Sequence, residues 1–502
     1  MSPLLMLGAE SAAKKPSTLE HLLPELVPLG ILLAVILIVV ARLPRIDVGH
    51  SRAFLARRLK NWLPLGLTYS FLYMGRYNLE KAREGFGGRM DVQDFSLIFG
   101  LGTIVYGVSF LLNGPLTDKL GGRKTIMIAG LGAALANVAM GIVTISGIPP
   151  LVPFALLYPI NMYFQSFGAV SIVKTNSRWF HVRERGVFGA IFGILISLGI
   201  YFAYDGSKII IESLPLEWVF FIPAGILVVF TVLDYIWVRD TPADAGLVDF
   251  DAGDARLQED GERLGILEVF RRLFTNKVIL TIAIIEFCSG FLRQAIMQYY
   301  PNYVASIGQT SDFIFGHWGL FLCCAGILGG MLAGVISDRV FQSRRGPVAF
   351  LLYAVLLLGV IVAVFGYDVL LVMGPAAVLM SMAVIGVHGM LSGTASMDFA
   401  GHANTGVAVG IIDGFVYLGT ASMALLYSFI LPSSDISLRP ALEGTAVPVK
   451  EWVKQQLVAA PPSAEPSNWW MWPISMIPLA VLGLYLTRRL WNAKPTRGGG
   501  GH

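Results

Sequence analysis

Apolar runs of about twenty residues recur along this chain, separated by short basic or Gly/Pro segments, and runs of that length are expected to form membrane-spanning helices. An opening run at about 22–41 is followed by Arg42, Arg45, Arg52, Arg57, Arg58 and Lys60. Six further runs lie at about 62–84, 95–114, 124–146, 150–174, 186–211 and 217–238. After a polar stretch, six more occupy about 278–304, 313–337, 347–366, 369–394, 405–431 and 469–489. The ten-residue alternation of a membrane barrel is not seen, and a spanning helix satisfies its own backbone hydrogen bonds in lipid. The expected organisation is an extra N-terminal span with a basic linker (1–61), a six-helix half (62–238), a Gly/Asp/Glu-rich linker (239–277), a second six-helix half (278–489) and a tail (490–502). A removable signal is the weaker reading of the opening run, which is long and carries its basic cluster on the C-terminal side. The segment 431–469, with Pro432, Pro440, Pro461 and Pro462, is expected to be a long loop.

Composition strengthens this reading. Hydrophobic residues make up 55% of the chain, charged residues 14%, and the mean hydropathy is +0.67, which a soluble domain of 502 residues has no way to bury. The fold class expected is an all-α polytopic membrane protein. The net charge of +4 arises from lysines and arginines in loops and does not imply nucleic acid. Basic clusters at Arg57/Arg58/Lys60, Lys119/Arg123/Lys124, Arg178/Arg183/Arg185, Arg271/Arg272/Lys277, Arg339/Arg344/Arg345 and Arg488/Arg489 fall on alternate loops, which are therefore expected in the cytoplasm. Cys288, Cys323 and Cys324 sit in apolar runs without metal-ligand spacing and read as core thiols. No phosphate-cradling GxxxxGK[ST] loop, metal site or nucleophile constellation is present, so neither an enzyme nor a cofactor is expected.

Two charges interrupt the apolar pattern. Arg76 lies in GLTYSFLYMGRYN and Arg293 in ILTIAIIEFCSGFLRQAIM, where a charge costs roughly 2.5–3.5 kcal/mol on insertion scales. They are separated by 217 residues (293 − 76), close to the 220 (338 − 118) between Asp118 in GPLTDK and Asp338 in GVISDR. The chain therefore reads as a duplication with one arginine per half, a pair suited to a dianion such as phosphate. Tyr69, Tyr73 and Arg76 occupy i, i+4 and i+7, which places them on one helix face. Guanidinium forks bind phosphate oxygens in bidentate fashion, and phenols supplement them. The competing reading is an arginine paired with an internal carboxylate for packing alone.

Other polar residues leave alternatives open. Glu286, seven residues before Arg293 on the same face, either neutralises it in an empty site or faces a neighbouring helix, the latter being favoured. Asp413 in GIIDGFVYLG, with Tyr417 one turn later, either receives a hydroxyl or amine of a substrate or pairs with a cation. His388 in IGVHGML is a substrate contact or, by the better odds, a satisfied core histidine. Glycines repeat every fourth residue at Gly406/Gly410/Gly414 and Gly326/Gly330/Gly334, as close helix approach requires. Asp118, Lys119, Arg123, Asp338 and Arg339 are expected to latch helix ends and so act as gating residues.

Two six-span halves, each with a Gly-x-x-x-Asp-Arg/Lys loop after its second span (GPLTDKLGGRK and GVISDRVFQSRRG), resemble the major facilitator superfamily. A closer resemblance is to its organophosphate:phosphate antiporters. YSFLYMGRYN resembles their first-span arginine motif, GFLRQAIMQYYPNY their seventh-span arginine segment and GIIDGFVYLG their eleventh span, and RWFHVRERG adds a further match. The resemblance implies a major facilitator fold of two six-helix halves, here with one extra N-terminal transmembrane helix. It also implies exchange of a sugar phosphate or glycerol phosphate for inorganic phosphate by alternating access. Substrate contacts are then expected from Arg76, Arg293, Tyr69, Tyr73, Asp413, Tyr417 and His388, in a monomer of a bacterial inner membrane. Three departures stand out. The glycerol-3-phosphate member has a second-span lysine where this chain has Phe110, and a fifth-span histidine where it has Ile196. A tenth-span tyrosine is also missing, with Gly386 and His388 nearby. Two other functions stay open: a transporter-like receptor for a phosphorylated ligand, and a proton-coupled symporter of another organic anion.

Overall fold

The computed structural model describes residues 49–176, 178–181, 185–249, 271, 274–341, 344–395, 405–432 and 465–492. The expected N-terminal span, most of the polar linker and most of the segment 431–469 lie outside the described residues. Among the described residues there is no strand, and every helix below falls on an apolar run of the sequence. The first set is α1 (Arg52–Phe86), α2 (Val92–Leu120), α3 (Gly122–Ser146), α4 (Leu151–Gln165) and α5 (Phe167–Asn176). It continues with α6 (Arg185–Tyr201), extended through a π-helical turn (Phe202–Gly206) by α7 (Ser207–Ser213), and ends with α8 (Trp218–Trp237). The second set is α9 (Lys277–Met297), α10 (Tyr299–Ser306), α11 (Trp318–Val335), α12 (Arg345–Gly366), α13 (Leu370–His388), α14 (Thr405–Ile430) and α15 (Met471–Arg489). π-helical turns Ile336–Val340 and Gly389–Ala395 extend α11 and α13. The protein is an all-α polytopic membrane protein: large apolar side chains such as Leu135, Leu156, Phe365 and Leu371 stand exposed on the helices, a surface suited to lipid rather than water.

Local chemistry explains where the helices differ from the apolar pattern. α1 starts ten residues before its run because Ser51 caps it, its hydroxyl accepting the Phe54 N–H at 3.1 Å, so the basic Arg52–Lys60 stretch is helical too. Asp91 and Asn276 cap α2 and α9 in the same way. The fourth run is split at Ser166, whose hydroxyl donates to the Tyr163 carbonyl and accepts from Asn113, each at 2.7 Å. At the basic end, Arg57 donates to the Trp237 carbonyl at 2.8 Å, and Arg58 stacks 4.3 Å from the centre of the Phe180 ring. Trp179 of the RWFHVRERG motif donates to the Arg239 carbonyl at 3.0 Å, which ties the end of α8 to this cluster.

Glycines set the closest helix contacts. α2 packs on α14, where Gly107 and Gly414 approach each other's backbone and Gly410 approaches the Phe110 carbonyl. α9 packs on α14 through Gly290, where a Cβ would collide with the Val416 carbonyl oxygen, and Gly419, where one would collide with that of Phe287. α6 packs on α11, with Gly326 against Ser197. The four-residue glycine repeat is thus used unequally: Gly330 and Gly334 face open space. We expect Gly290→Ala and Gly419→Ala to destabilise the protein by about 1–3 kcal/mol through overpacking, seen as a lower unfolding midpoint in detergent. Gly330→Ala and Gly334→Ala should leave that midpoint unchanged.

Candidate functional site

Arg76 is completely buried in the C-terminal half of α1. Its Nε donates to Gln165 Oε1 at 2.9 Å, its Nη1 to the Tyr417 hydroxyl at 3.1 Å and its Nη2 to the Tyr106 hydroxyl at 2.7 Å. The guanidinium also lies 4.4 Å from the Tyr106 ring centre and 4.6 Å from that of Tyr73. All these partners are neutral, and no carboxylate within ion-pair distance is found among the described residues. Such a shell lowers the cost of burying the guanidinium without cancelling its charge. A second layer holds the shell in place. Gln165 donates to Asn161 at 3.0 Å, Asn161 donates to the Gly75 carbonyl at 2.9 Å, and Tyr158 donates to the Arg76 carbonyl at 3.2 Å.

The face expected from the i, i+4, i+7 spacing is present. Tyr69 and Tyr73 meet edge to face at 5.2 Å, with their hydroxyls 3.5 Å apart, and Arg76 follows over Tyr73. Phe110 stacks on Tyr417 at 5.7 Å and packs edge-on to Tyr106 at 4.8 Å. Tyr106 and Gln165 were not singled out in the sequence. A tyrosine in a span reads as packing, although Asn161 and Gln165, amides one turn apart in an apolar run, carried a usable signal.

Arg293 on α9 is 7% exposed. Its Nε has no hydrogen-bond partner and, among the described residues, it forms no ion pair. Tyr73, Tyr77 and Tyr417 each lie within electrostatic reach of both guanidiniums, which brings the two arginines to one region. The residues that follow them also meet: Gln294 Nε2 donates to the Tyr77 hydroxyl at 2.8 Å, across the same 217-residue separation. Position after each arginine was the signal for this contact, and it was missed.

Glu286 turns to a neighbouring helix, as favoured from sequence, and meets His388 Nδ1 of α13 at 2.8 Å. Its second oxygen, Oε1, is buried without a partner. Asp413, 7% exposed, accepts a hydrogen bond from the Ser392 hydroxyl in the π-helical turn after α13. No cation lies within ion-pair distance of Asp413 among the described residues.

Of the expected gating residues, Arg123 is tied to the end of α8. Its backbone N–H donates to Asp240 at 2.9 Å, its side chain donates to the Tyr235 carbonyl, and its guanidinium lies 5.2 Å from the Tyr235 ring centre. Gly121, two residues earlier, has φ +87°, where a side chain would be strained and would also crowd the Asp240 carboxylate. Lys119 is exposed. The side chains of Asp118, Asp338 and Arg339 lie outside what is described.

Comparison with known proteins agrees with this arrangement. A glycerol-3-phosphate transporter of Bacillus subtilis is 28% identical over 410 residues, covering 75% of this chain and 87% of the relative. The membrane sensor protein UhpC of Salmonella typhimurium is 24% identical over 380 residues, covering 72% and 82%. A probable hexose phosphate transport protein of Chlamydia trachomatis is 24% identical over 390 residues, covering 72% and 83%. Among solved structures, a bacterial homologue of the human lysosomal transporter Spinster, inward-facing and unoccupied, aligns with a TM-score of 0.60 at 12% identity. It covers 89% of this chain and 100% of that one, and shows the fold. These relatives match the organophosphate:phosphate antiporters that the motifs resemble. The Major Facilitator Superfamily model matches residues 54–424, and the chain belongs to that superfamily of membrane transporters rather than to any class of enzyme.

Proposed function

We propose that this protein exchanges an organophosphate for inorganic phosphate by alternating access, with Arg76 and Arg293 as the clamp for the phosphoryl group. The observation that carries this reading is two buried guanidiniums with no carboxylate partner among the described residues, brought together by shared tyrosines. A packing role would call for a neutralising acid, and the nearest candidate, Glu286, is engaged by His388. Two mutually repelling cations oppose closure of the two six-helix halves around an empty site, and a bound dianion offsets that repulsion. Movement would then require a load in each direction, which is the behaviour of an exchanger. The glycine-lined contacts of α2 with α14 and of α6 with α11 supply smooth surfaces on which the halves rock.

The similarity to a membrane sensor protein keeps one second reading in view, a receptor that binds a phosphorylated ligand on the same clamp. Counterflow separates the two. Liposomes loaded with phosphate should take up labelled phosphate through the purified protein, whereas a receptor would bind without flux. In that assay Arg76→Lys and Arg293→Lys should each lower the exchange rate at least about tenfold, because the planar fork is lost and charged hydrogen bonds contribute roughly 1.5–3 kcal/mol. Wild-type rates in both variants would remove the clamp. Tyr106→Phe leaves the charge of Arg76 but takes away one of its acceptors, so it should weaken half-saturation by phosphate roughly fivefold to tenfold, at about 1 kcal/mol for a hydrogen bond. The phosphate dependence of exchange measures this directly.

A further inference from the structure

Beyond the arginine clamp, the second half holds a group of charged residues that phosphate recognition alone does not use. Glu286 of α9, His388 of α13 and Asp413 of α14 are electrostatic neighbours, with Arg293 as the cation shared with the clamp. The other titratable groups that face them are Cys288, on the same helix as Glu286, Tyr353 of α12, Tyr417 beside Asp413, and Tyr73 and Tyr77 beside Arg293. Two buried polar atoms in this group have no partner, Arg293 Nε and Glu286 Oε1. Leaving such atoms unpaired keeps their desolvation uncompensated, so an occupant that pairs with them is favoured.

Helix geometry places the group relative to the clamp. Asp413 lies four residues before Tyr417, whose hydroxyl holds Arg76, and Glu286 lies seven before Arg293. At 1.5 Å per residue these offsets are about 6 and 10 Å toward the end of α9 that carries Lys277. A phosphoryl group at the arginines would thus direct its organic part at two carboxylates.

Charge balance then decides what that organic part carries. With Glu286 paired to His388, the remaining formal charges are two guanidiniums and the Asp413 carboxylate, a net of plus one. A phosphate-ester dianion turns this into minus one, an unpaired buried charge of the kind proteins avoid. One ammonium group on the substrate cancels it. We infer that the site selects phosphate esters that also bear a primary ammonium group, short aminoalkyl phosphates or amino-sugar phosphates, with Asp413 receiving the ammonium beside the Glu286–His388 pair.

This inference rests on the phosphate-exchange reading, and the test separates the two. Exchange of labelled phosphate by the full chain in proteoliposomes would be inhibited with matched pairs: ethanolamine phosphate against ethylene glycol phosphate, and glucosamine 6-phosphate against glucose 6-phosphate. In wild-type protein each amino ester should inhibit at a concentration at least about tenfold below its hydroxyl partner, and Asp413→Asn should bring that ratio to about one. The wild-type ranking needs no variant, so a poorly folding Asp413→Asn protein does not leave the idea untested. Equal ranking in wild type, a hydroxyl preference, or an amino preference that survives Asp413→Asn would overturn it. So would hydroxyl-ester exchange that carries a proton inward with each ester, since the proton would then be the balancing charge. If phosphate and all four esters fail to inhibit, the phosphate-exchange reading falls instead and takes this inference with it.

Discussion

A guanidinium in a membrane has to be solvated by the protein, and the shell that does so for Arg76 organises much of the first half of the fold. Tyr106 arrives on α2, Gln165 on α4 and Tyr417 on α14, so three helices are registered against α1 by one side chain. The shell contains phenols, an amide and aromatic faces, which stabilise the cation by hydrogen bonds and quadrupoles. A carboxylate in the same place would stabilise it more and would also extinguish its attraction for an anion. Neutral solvation keeps the charge both tolerable and available.

The two arginines are related by the repeat but not treated alike. Arg76 has a hydrogen-bond partner on each of its three nitrogens, whereas Arg293 has an unpartnered Nε and an acidic neighbour that is taken by a histidine. The fold therefore presents one fixed cation and one under-satisfied cation. On the proposed reading, the anion completes the shell of Arg293, so much of the differential binding energy arises in the second half. The Tyr77–Gln294 contact joins the positions just after each arginine and marks where the two halves meet around this pair. Phe110, stacked on Tyr417, places uncharged ring surface next to the clamp.

What the sequence made legible follows from periodicity within single helices. The alignment of Tyr69, Tyr73 and Arg76 on one face came from 3.6-residue spacing, and the positions of α2 and α9 from their apolar runs. Lateral partners were harder to see. Tyr106 sits in VYGVSFLLNG among apolar residues, and nothing along that string says which way its hydroxyl points. The Glu286–His388 contact spans 102 positions, so two isolated polar residues, each open to several readings, became one pair only on packing. The glycine stripes show the same limit: Gly326 and Gly330 look equivalent in the sequence, but one meets Ser197 and the other meets nothing.

By itself the sequence determined that this is a helical membrane protein, roughly where its helices run, and that two equivalent arginines are buried in them, because hydropathy and repeat spacing can be read along the chain. Only the tertiary structure decided that Arg76 is solvated by neutral groups, that Arg293 is left short of partners, and that Glu286 belongs to His388. Those outcomes depend on how far each helix is rotated and slid against the next. A shift of one residue turns a helical side chain by about 100° and carries it to another neighbour, and no pattern within one helix encodes that relation.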